Sequence, residues 1–266
     1  MGIDRRKFVK LAGLTVLGFA GAKPGGVFSQ ETPAADTAST APPSGEPTAP
    51  LEGKRWAMIV DVRKCMQNPD CHACSDACHL THNVPDFGNP KDEIKWIWKE
   101  SFHHAFHEQG HEHLEERMLH TKLPVLCNHC DNPPCVKVCP TQATWRREKD
   151  GIVMMDWHRC IGCRYCVVAC PYGSRSFNWR DPRPFIKEIQ PDFPTRTRGV
   201  VEKCTFCEER LSRGQLPACV EACEHGALKF GDLEDPDSEV RAILRENYTI
   251  RRKPALGTQP EIYYIV

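Results

Sequence analysis

The run Cys160-Ile-Gly-Cys163-Arg-Tyr-Cys166-Val-Val-Ala-Cys170-Pro171 constrains this chain more than any other stretch. Its two-residue gaps let one tight loop aim three thiolates at three corners of a single [4Fe–4S] cube. The three-residue gap, closed by Pro171, turns the fourth sulfur toward a second cube. Zinc sites usually show isolated C-x-x-C pairs instead of this triplet-plus-one pattern. A disulfide scaffold tolerates any spacing and needs only an even count, so it does not explain the regularity.

Three more groups use up the remainder of the 16 cysteines. Cys127-Asn-His-Cys130-Asp-Asn-Pro-Pro-Cys135-Val-Lys-Val-Cys139-Pro140 repeats the closing C-x-x-x-C-P, with a Pro-Pro loop widening the third gap. The last group is Cys204-Thr-Phe-Cys207, then eleven residues, then Cys219-Val-Glu-Ala-Cys223. The first is Cys65, five residues, then Cys71-His-Ala-Cys74-Ser-Asp-Ala-Cys78. There Asn68-Pro69-Asp70 reads as a turn that loops out and still delivers Cys65. A cluster lost or differently ligated is the alternative at that first group.

Each of the last three groups is followed by a similar short run: Pro140 to Trp145, Pro171 to Phe177 and Glu224 to Phe230. Each reads as a helix end, a Gly or polar turn, then a strand. Lys149-Asp150-Gly151, between 144–147 and 152–156, is a hairpin signal. The expected fold is α+β: two pseudo-symmetric bacterial-ferredoxin-like modules, each binding two [4Fe–4S] clusters, with loop insertions. Clusters substitute for much of the missing apolar core.

The N-terminus reads Asp4-Arg5-Arg6-Lys7-Phe8-Val9-Lys10, then an apolar run from Leu11 to Ala22. A charged start, a short apolar core and small residues describe an export signal, and the paired arginines resemble the twin-arginine class. Asp4 departs mildly from that class, and a basic patch before a buried helix is the plainer reading. Residues 30–53, rich in Pro, Ala, Thr, Ser and Glu, cannot bury enough surface to order themselves and read as a tether. Six segments follow: signal 1–29, tether 30–53, first motif with a His-rich insertion 54–126, central module 127–180, fourth motif 181–236, and a helix with tail 237–266. Beyond the N-terminal run, no apolar stretch approaches the ~20 residues of a spanning helix.

A tether followed by four such motifs in this order resembles the iron–sulfur subunits of the dimethyl-sulfoxide-reductase and polysulfide-reductase family. In that family motif one pairs with four, and two with three. The resemblance implies one cube on Cys65, Cys71, Cys74 and Cys223, and a neighbour on Cys204, Cys207, Cys219 and Cys78. It implies a third on Cys127, Cys130, Cys135 and Cys170, and a fourth on Cys160, Cys163, Cys166 and Cys139. Finer runs, among them Gly151-Ile-Val-Met-Met-Asp156 and the ending Leu256 to Val266, are similar to the DsrO type, the periplasmic subunits of sulfite-reduction-associated DsrMKJOP membrane complexes. That likeness implies an NrfD-type integral-membrane quinone-interacting partner, a periplasmic multihaem cytochrome c, and further Dsr-type membrane and cytoplasmic subunits. The five-residue first gap is where this chain departs from the broad pattern.

Four thiolates on every cube leave no iron open to substrate, so electron relay without catalysis is the expected role. The competing readings are the electron-transfer subunit of a molybdopterin reductase and a zinc- or disulfide-stapled binding scaffold. Arg159, Arg164, Lys137, Lys203 and Arg210 adjoin the ligands and are candidates to tune them, against the plain reading of solvated cations. Lys plus Arg and Asp plus Glu each number 35, giving zero net charge and excluding a nucleic-acid partner. Sixteen thiolates around four cubes would make the loaded protein about −8 by formal ligand count.

Other signals weigh less. His107-Glu-Gln-Gly-His111 matches H-E-x-x-H formally, but Gly110 weakens the helix that would align the imidazoles. A polar insertion on the surface or against a partner is the preferred reading. Cys74 to His79 has one residue too many for covalent haem attachment. Residues Asp237 to Asn247 read as a capped amphipathic helix with Val240, Ile243 and Leu244 inward. The apolar Ile262 to Val266 is expected to add a strand, in this chain's own sheet or against a partner.

Overall fold

Strand β1 (Trp56–Asp61) is apolar on both faces, and the reason is its position. Trp56, Met58 and Val60 point into the main core, whereas Ala57 and Ile59 meet Val240 and Ile265 on the other side. Successive side chains of a strand alternate faces, so only a strand covered on both sides reads this way. The computed structural model of the chain describes residues 49–110 and 112–266. The expected signal (1–29) and residues 30–48 of the expected tether lie outside the described residues. The backbone N–H of Leu51 donates to the Leu211 carbonyl at 2.9 Å, so the folded body begins a little before Lys54.

Asp61 ends β1 and accepts from the Arg63 N–H, opening the helix Val62–Gln67. Asn68 closes that helix, and Cys71 N–H donates back to the Asn68 carbonyl at 3.2 Å, which is the loop expected at Asn68-Pro69-Asp70. The helix Ala73–Thr81 follows. Strands β2 (Ile97–Ser101) and β3 (Lys122–Leu126) pair antiparallel and bracket the His-rich segment. That segment is anchored by Phe102 and Phe106, both buried, with the Phe106 ring edge-on to Tyr264. A one-turn helix over His107–Gln109 stops at Gly110, whose backbone is extended, so no continuous helix runs on from His107.

Strands β4 (Thr144–Arg146) and β5 (Val153–Met155) form the expected hairpin. Short strands β6 (Ser176–Phe177) and β7 (Val201–Glu202) pair next. Then come β8 (Leu228–Asp232), the helix Glu239–Glu246, β9 (Thr249–Ile250) and β10 (Ile262–Ile265). The main sheet has the order β8-β1-β10-β9. β10 lies parallel to β1, Met58 opposite Ile262, so the apolar C-terminus is an interior strand of this chain's own sheet.

Val240 is the buried anchor of the Glu239–Glu246 helix, with Ile243 and Leu244 packed beside it. A Cβ on Gly231 would sit 2.9 Å from the Val240 side chain, so glycine there lets the helix lie close on β8. Ser238 occupies the capping position, yet its hydroxyl makes no cap bond; the cap expected from the sequence is absent. No helix among the described residues is long and apolar enough to cross a membrane. Helices and strands are mixed along the chain, an α+β fold.

Candidate metal centres

Three C-x-x-C loops share one backbone device. The residue before the second cysteine is left-handed in each: His129 (φ 41°), Gly162 (φ 68°) and Phe206 (φ 56°). That turn folds the two thiols toward the same side. At Gly162 a Cβ would stand 2.4 Å from the Gly199 carbonyl oxygen, so only glycine fits. A second left-handed residue stands three positions after each closing cysteine: Gln142, Gly173 and Gly226. It turns the chain into β4, β6 and β8 respectively. In the first group the left-handed residue is Asn83, five positions after Cys78, and no strand follows directly.

The fold brings thiols of different motifs together, and two quartets line cavities of their own. Cys65, Cys71, Cys74 and Cys223 line one small cavity, walled by Lys99 and Pro124. Cys139, Cys160, Cys163 and Cys166 line another, walled by Met155 and Val201. Cys78 lies in the electrostatic reach of Cys207, Cys204 and Cys219, and Cys130 in that of Cys127, Cys135 and Cys170. So Cys78 has left its own motif for the fourth, and Cys223 has made the opposite crossing. Within the Ala73–Thr81 helix Cys74 and Cys78 are one turn apart, which aims them at successive sets. No disulfide links any of the sixteen.

Burial, and then the neighbouring thiols, push several of the most enclosed of these groups up. Cys204 reaches about 12, and Cys78, Cys207 and Cys219 rise well above an ordinary thiol. Cys65 reaches about 12, again by burial, with Lys99 opposing. Cys139 goes the other way: burial raises it, but hydrogen bonds from Thr144, Thr141 and Ala143 together outweigh that. A thiol pushed up by burial stays neutral by itself and ionises when a cation of high charge takes the proton's place. N–H donors already face several sulfurs: Ala227 to Cys223 at 3.2 Å, Ala218 to Cys207 and Phe206 to Cys204 at 3.4 Å.

Of the cations named from the sequence, Lys203 alone is fully buried, its ammonium on the Val153 and Cys204 carbonyls. Arg159 and Lys137 are exposed, Arg164 lies over the Trp179 and Phe177 rings, and Arg210 pairs with Glu221. Two cations were not anticipated. Lys99 reaches the first cavity, and Arg175, 4% exposed, donates from Nη2 to Cys135 Sγ at 3.1 Å. The repeat itself carries a signal for Arg175. It stands five residues after Cys170, where the other two repeats place the buried Thr144 and Leu228.

His82, Cys207 and Glu209 bring ligand atoms within 4.8 Å of one another, but they share a thiol with the Cys78 set. His82 Nδ1–H donates to the Cys78 carbonyl (2.8 Å), its Nε2 lies 3.0 Å from Glu209 Oε1, and its ring stacks on Trp96.

The family profile described as a 4Fe-4S dicluster domain matches residues 118–183 and 190–233. The chain is 43% identical over 239 residues to the Hdr-like menaquinol oxidoreductase iron-sulfur subunit 1 of Archaeoglobus fulgidus, covering 80% of this chain and 84% of that one. It is 36% identical to the menaquinone reductase iron-sulfur cluster-binding subunit of Nitratidesulfovibrio vulgaris, over 79% of this chain and 88% of the relative. The iron-sulfur subunit of a putative dimethyl sulfoxide reductase of Halobacterium salinarum is 38% identical, over 79% of this chain and 78% of the relative. The chain belongs to this family of iron–sulfur electron-transfer subunits.

An iron–sulfur subunit of this family carries several [4Fe–4S] clusters, and the donors here suit them. The thiols come in fours with no competing imidazole or carboxylate in the two cavities that hold Cys65 and Cys160, apart from His225 at the rim of the first. Thiolate-only sets favour iron–sulfur clusters or zinc, and the triplet-plus-one spacing favours the former.

Proposed function

We propose that the four thiol sets each hold a [4Fe–4S] cluster and that this chain passes single electrons along them. When bound, such a cube supplies one-electron chemistry at a potential set by hydrogen bonds to sulfur, local charge and solvent access. The protein's part is to hold four sets in fixed sequence. The helix Ala73–Thr81 joins the Cys65 set to the Cys78 set, Cys204 stands next to Cys127, and the helix Pro134–Lys137 joins the Cys135 set to the Cys139 set. The relay order is therefore the Cys65, Cys78, Cys127 and Cys160 sets, in two ferredoxin-like modules. The crossing of Cys78 and Cys223 carries this reading.

Within a membrane-bound respiratory complex, the chain would link a quinone-interacting membrane subunit of the NrfD type to other redox subunits. The relatives named for menaquinol oxidation and menaquinone reduction support that partner. The finer reading is a DsrO-type subunit, exported by a twin-arginine-type signal to the periplasmic face, partnered by a multihaem cytochrome c and further Dsr-type subunits in dissimilatory sulfur or sulfite metabolism. The runs quoted above support it. A molybdopterin reductase partner is the second reading, supported by the dimethyl sulfoxide reductase relative. Affinity purification of the tagged chain from its native membrane separates the two. A quinone-interacting membrane subunit without molybdenum is the expected result; a stoichiometric molybdenum subunit would replace the first reading with the second.

A further inference from the structure

Arg175 and Lys203 are buried cations with no carboxylate partner among the described residues. Arg175 spends its donors on Cys135 Sγ, Thr144 Oγ1 at 2.8 Å and Met155 Sδ at 3.8 Å. Lys203, 0% exposed, spends its own on the Val153 and Cys204 carbonyls. The neighbouring carboxylates are committed elsewhere: Glu202 pairs with Arg196, and Asp150 with Arg147. A charge taken out of water needs an opposite charge close by. Among the described residues, the groups near enough to supply one are the thiols.

The two cations face the same set and stand close enough to repel one another. Arg175 is held by Cys135, Cys166, Cys127 and Cys170, so it stands between the Cys127 set and the Cys160 set. Burial and Arg175 work against the Lys203 ammonium, whereas Cys127, Cys204 and Cys135 favour it, so it stands between the Cys127 set and the Cys78 set. The Cys78 set meets both signs: Lys203 also acts on Cys204, while Glu209 acts against Cys204 and Cys207. An added electron makes a thiolate-ligated site more negative, so a nearby buried cation favours the reduced state and a carboxylate disfavours it.

We propose that Arg175 and Lys203 set the potential of the Cys127, Cys130, Cys135 and Cys170 site, making it the most readily reduced station of the relay and the place where an electron rests. Each is a positioning residue: it acts through charge on a site it does not ligate. The inference rests on the four ligand sets proposed above. Its electron balance is simple, since one electron arrives from a neighbouring set and the same electron leaves to the other.

The test is an EPR-monitored redox titration of the full chain, isolated anaerobically with its iron, as Arg175→Met, Lys203→Met, Arg175→Lys and Lys203→Arg. Iron content is read first, because a shortfall in the unsubstituted chain defeats the ligand sets and not this inference. With iron intact, both Met variants are expected to move the same signal to lower potential, at least tenfold in its reduced-to-oxidised ratio at fixed ambient potential, or about 59 mV for one electron. Arg175→Lys and Lys203→Arg should return most of that shift. The proposal is overturned if the Met variants move different signals or none, or if the charge-conserving variants move it as far. Loss of iron in both Met variants, with normal iron in the conservative pair, would assign the cations to assembly and also overturn it.

Discussion

The imidazole of His129 stacks on the ring of Phe206, centroids 3.7 Å apart and planes 15° from parallel. Both residues are the left-handed members of their C-x-x-C loops, so the second and fourth motifs meet through equivalent positions. This contact lies where Cys127 and Cys204 come within electrostatic reach of each other. Phe206→Ala should therefore lower stability by about 3–5 kcal/mol through the cavity it leaves. Thermal loss of the visible cluster absorption measures it; a Tm near that of the parent would show that the stack matters little.

Gln142 holds a left-handed backbone where its two repeat counterparts are Gly173 and Gly226. Its side chain is exposed, so nothing is lost by removing it. A left-handed non-glycine residue costs about 1–2 kcal/mol, of which glycine's extra unfolded-state freedom cancels about 0.5–1. Gln142→Gly is expected to raise Tm slightly, and Gly173→Gln to lower it.

Glu261, buried against β1, accepts from Arg55 Nε at 2.9 Å and from Nη2 at 2.5 Å. Burial raises the Glu261 carboxyl despite Arg55. A raised acid contributes stability that is complete below its unfolded pKa, about 4.3, and is lost as pH rises through the folded value. At neutral pH the carboxylate therefore depends on Arg55. Arg55→Met should cost about 3 kcal/mol at pH 7.5, the low end for a buried pair because Arg55 is partly exposed. The deficit should shrink toward pH 5 as Glu261 takes up a proton. A deficit that grows on acidification, in paired melting curves, would contradict this.

Much of the site was legible from spacing. The turn that delivers Cys65, the β4–β5 hairpin and the strand after each of the last three closing cysteines follow from local residues. What spacing does not carry is tertiary. The crossing of Cys78 and Cys223 was implied by the family resemblance and not by spacing, because it depends on β1 pairing with β8 and with β10, contacts far apart in the chain that no short motif announces. The His-rich segment read as a polar insertion because its histidines dominate, whereas two phenylalanines fix it to the core. Arg175 was overlooked because an arginine gives no local sign of being buried.

Because β10 is interior to the sheet, deleting residues 262–266 should abolish soluble protein, since Ile262, Tyr264 and Ile265 are all buried. Tyr264→Phe is a gentler probe. Its hydroxyl is buried without a hydrogen-bond partner, so removing it should be neutral or stabilising by up to about 1 kcal/mol. A clear loss of Tm would mean the hydroxyl has a partner.

The crossing predicts which cysteines fall together. Cys223→Ser should disturb the same iron signal as Cys65→Ser, and Cys78→Ser the same signal as Cys219→Ser, with roughly a quarter of the iron at stake each time by ligand count. EPR of the four variants decides it. Matching spectra for Cys78→Ser and Cys65→Ser would instead keep each motif to itself.

The most direct measurement is iron and acid-labile sulfide per chain in the anaerobically purified protein, with EPR after reduction. Roughly sixteen of each, with interacting [4Fe–4S] signals, is the result expected from four complete thiol sets. Iron well below about twelve, or a colourless preparation holding zinc, would contradict it.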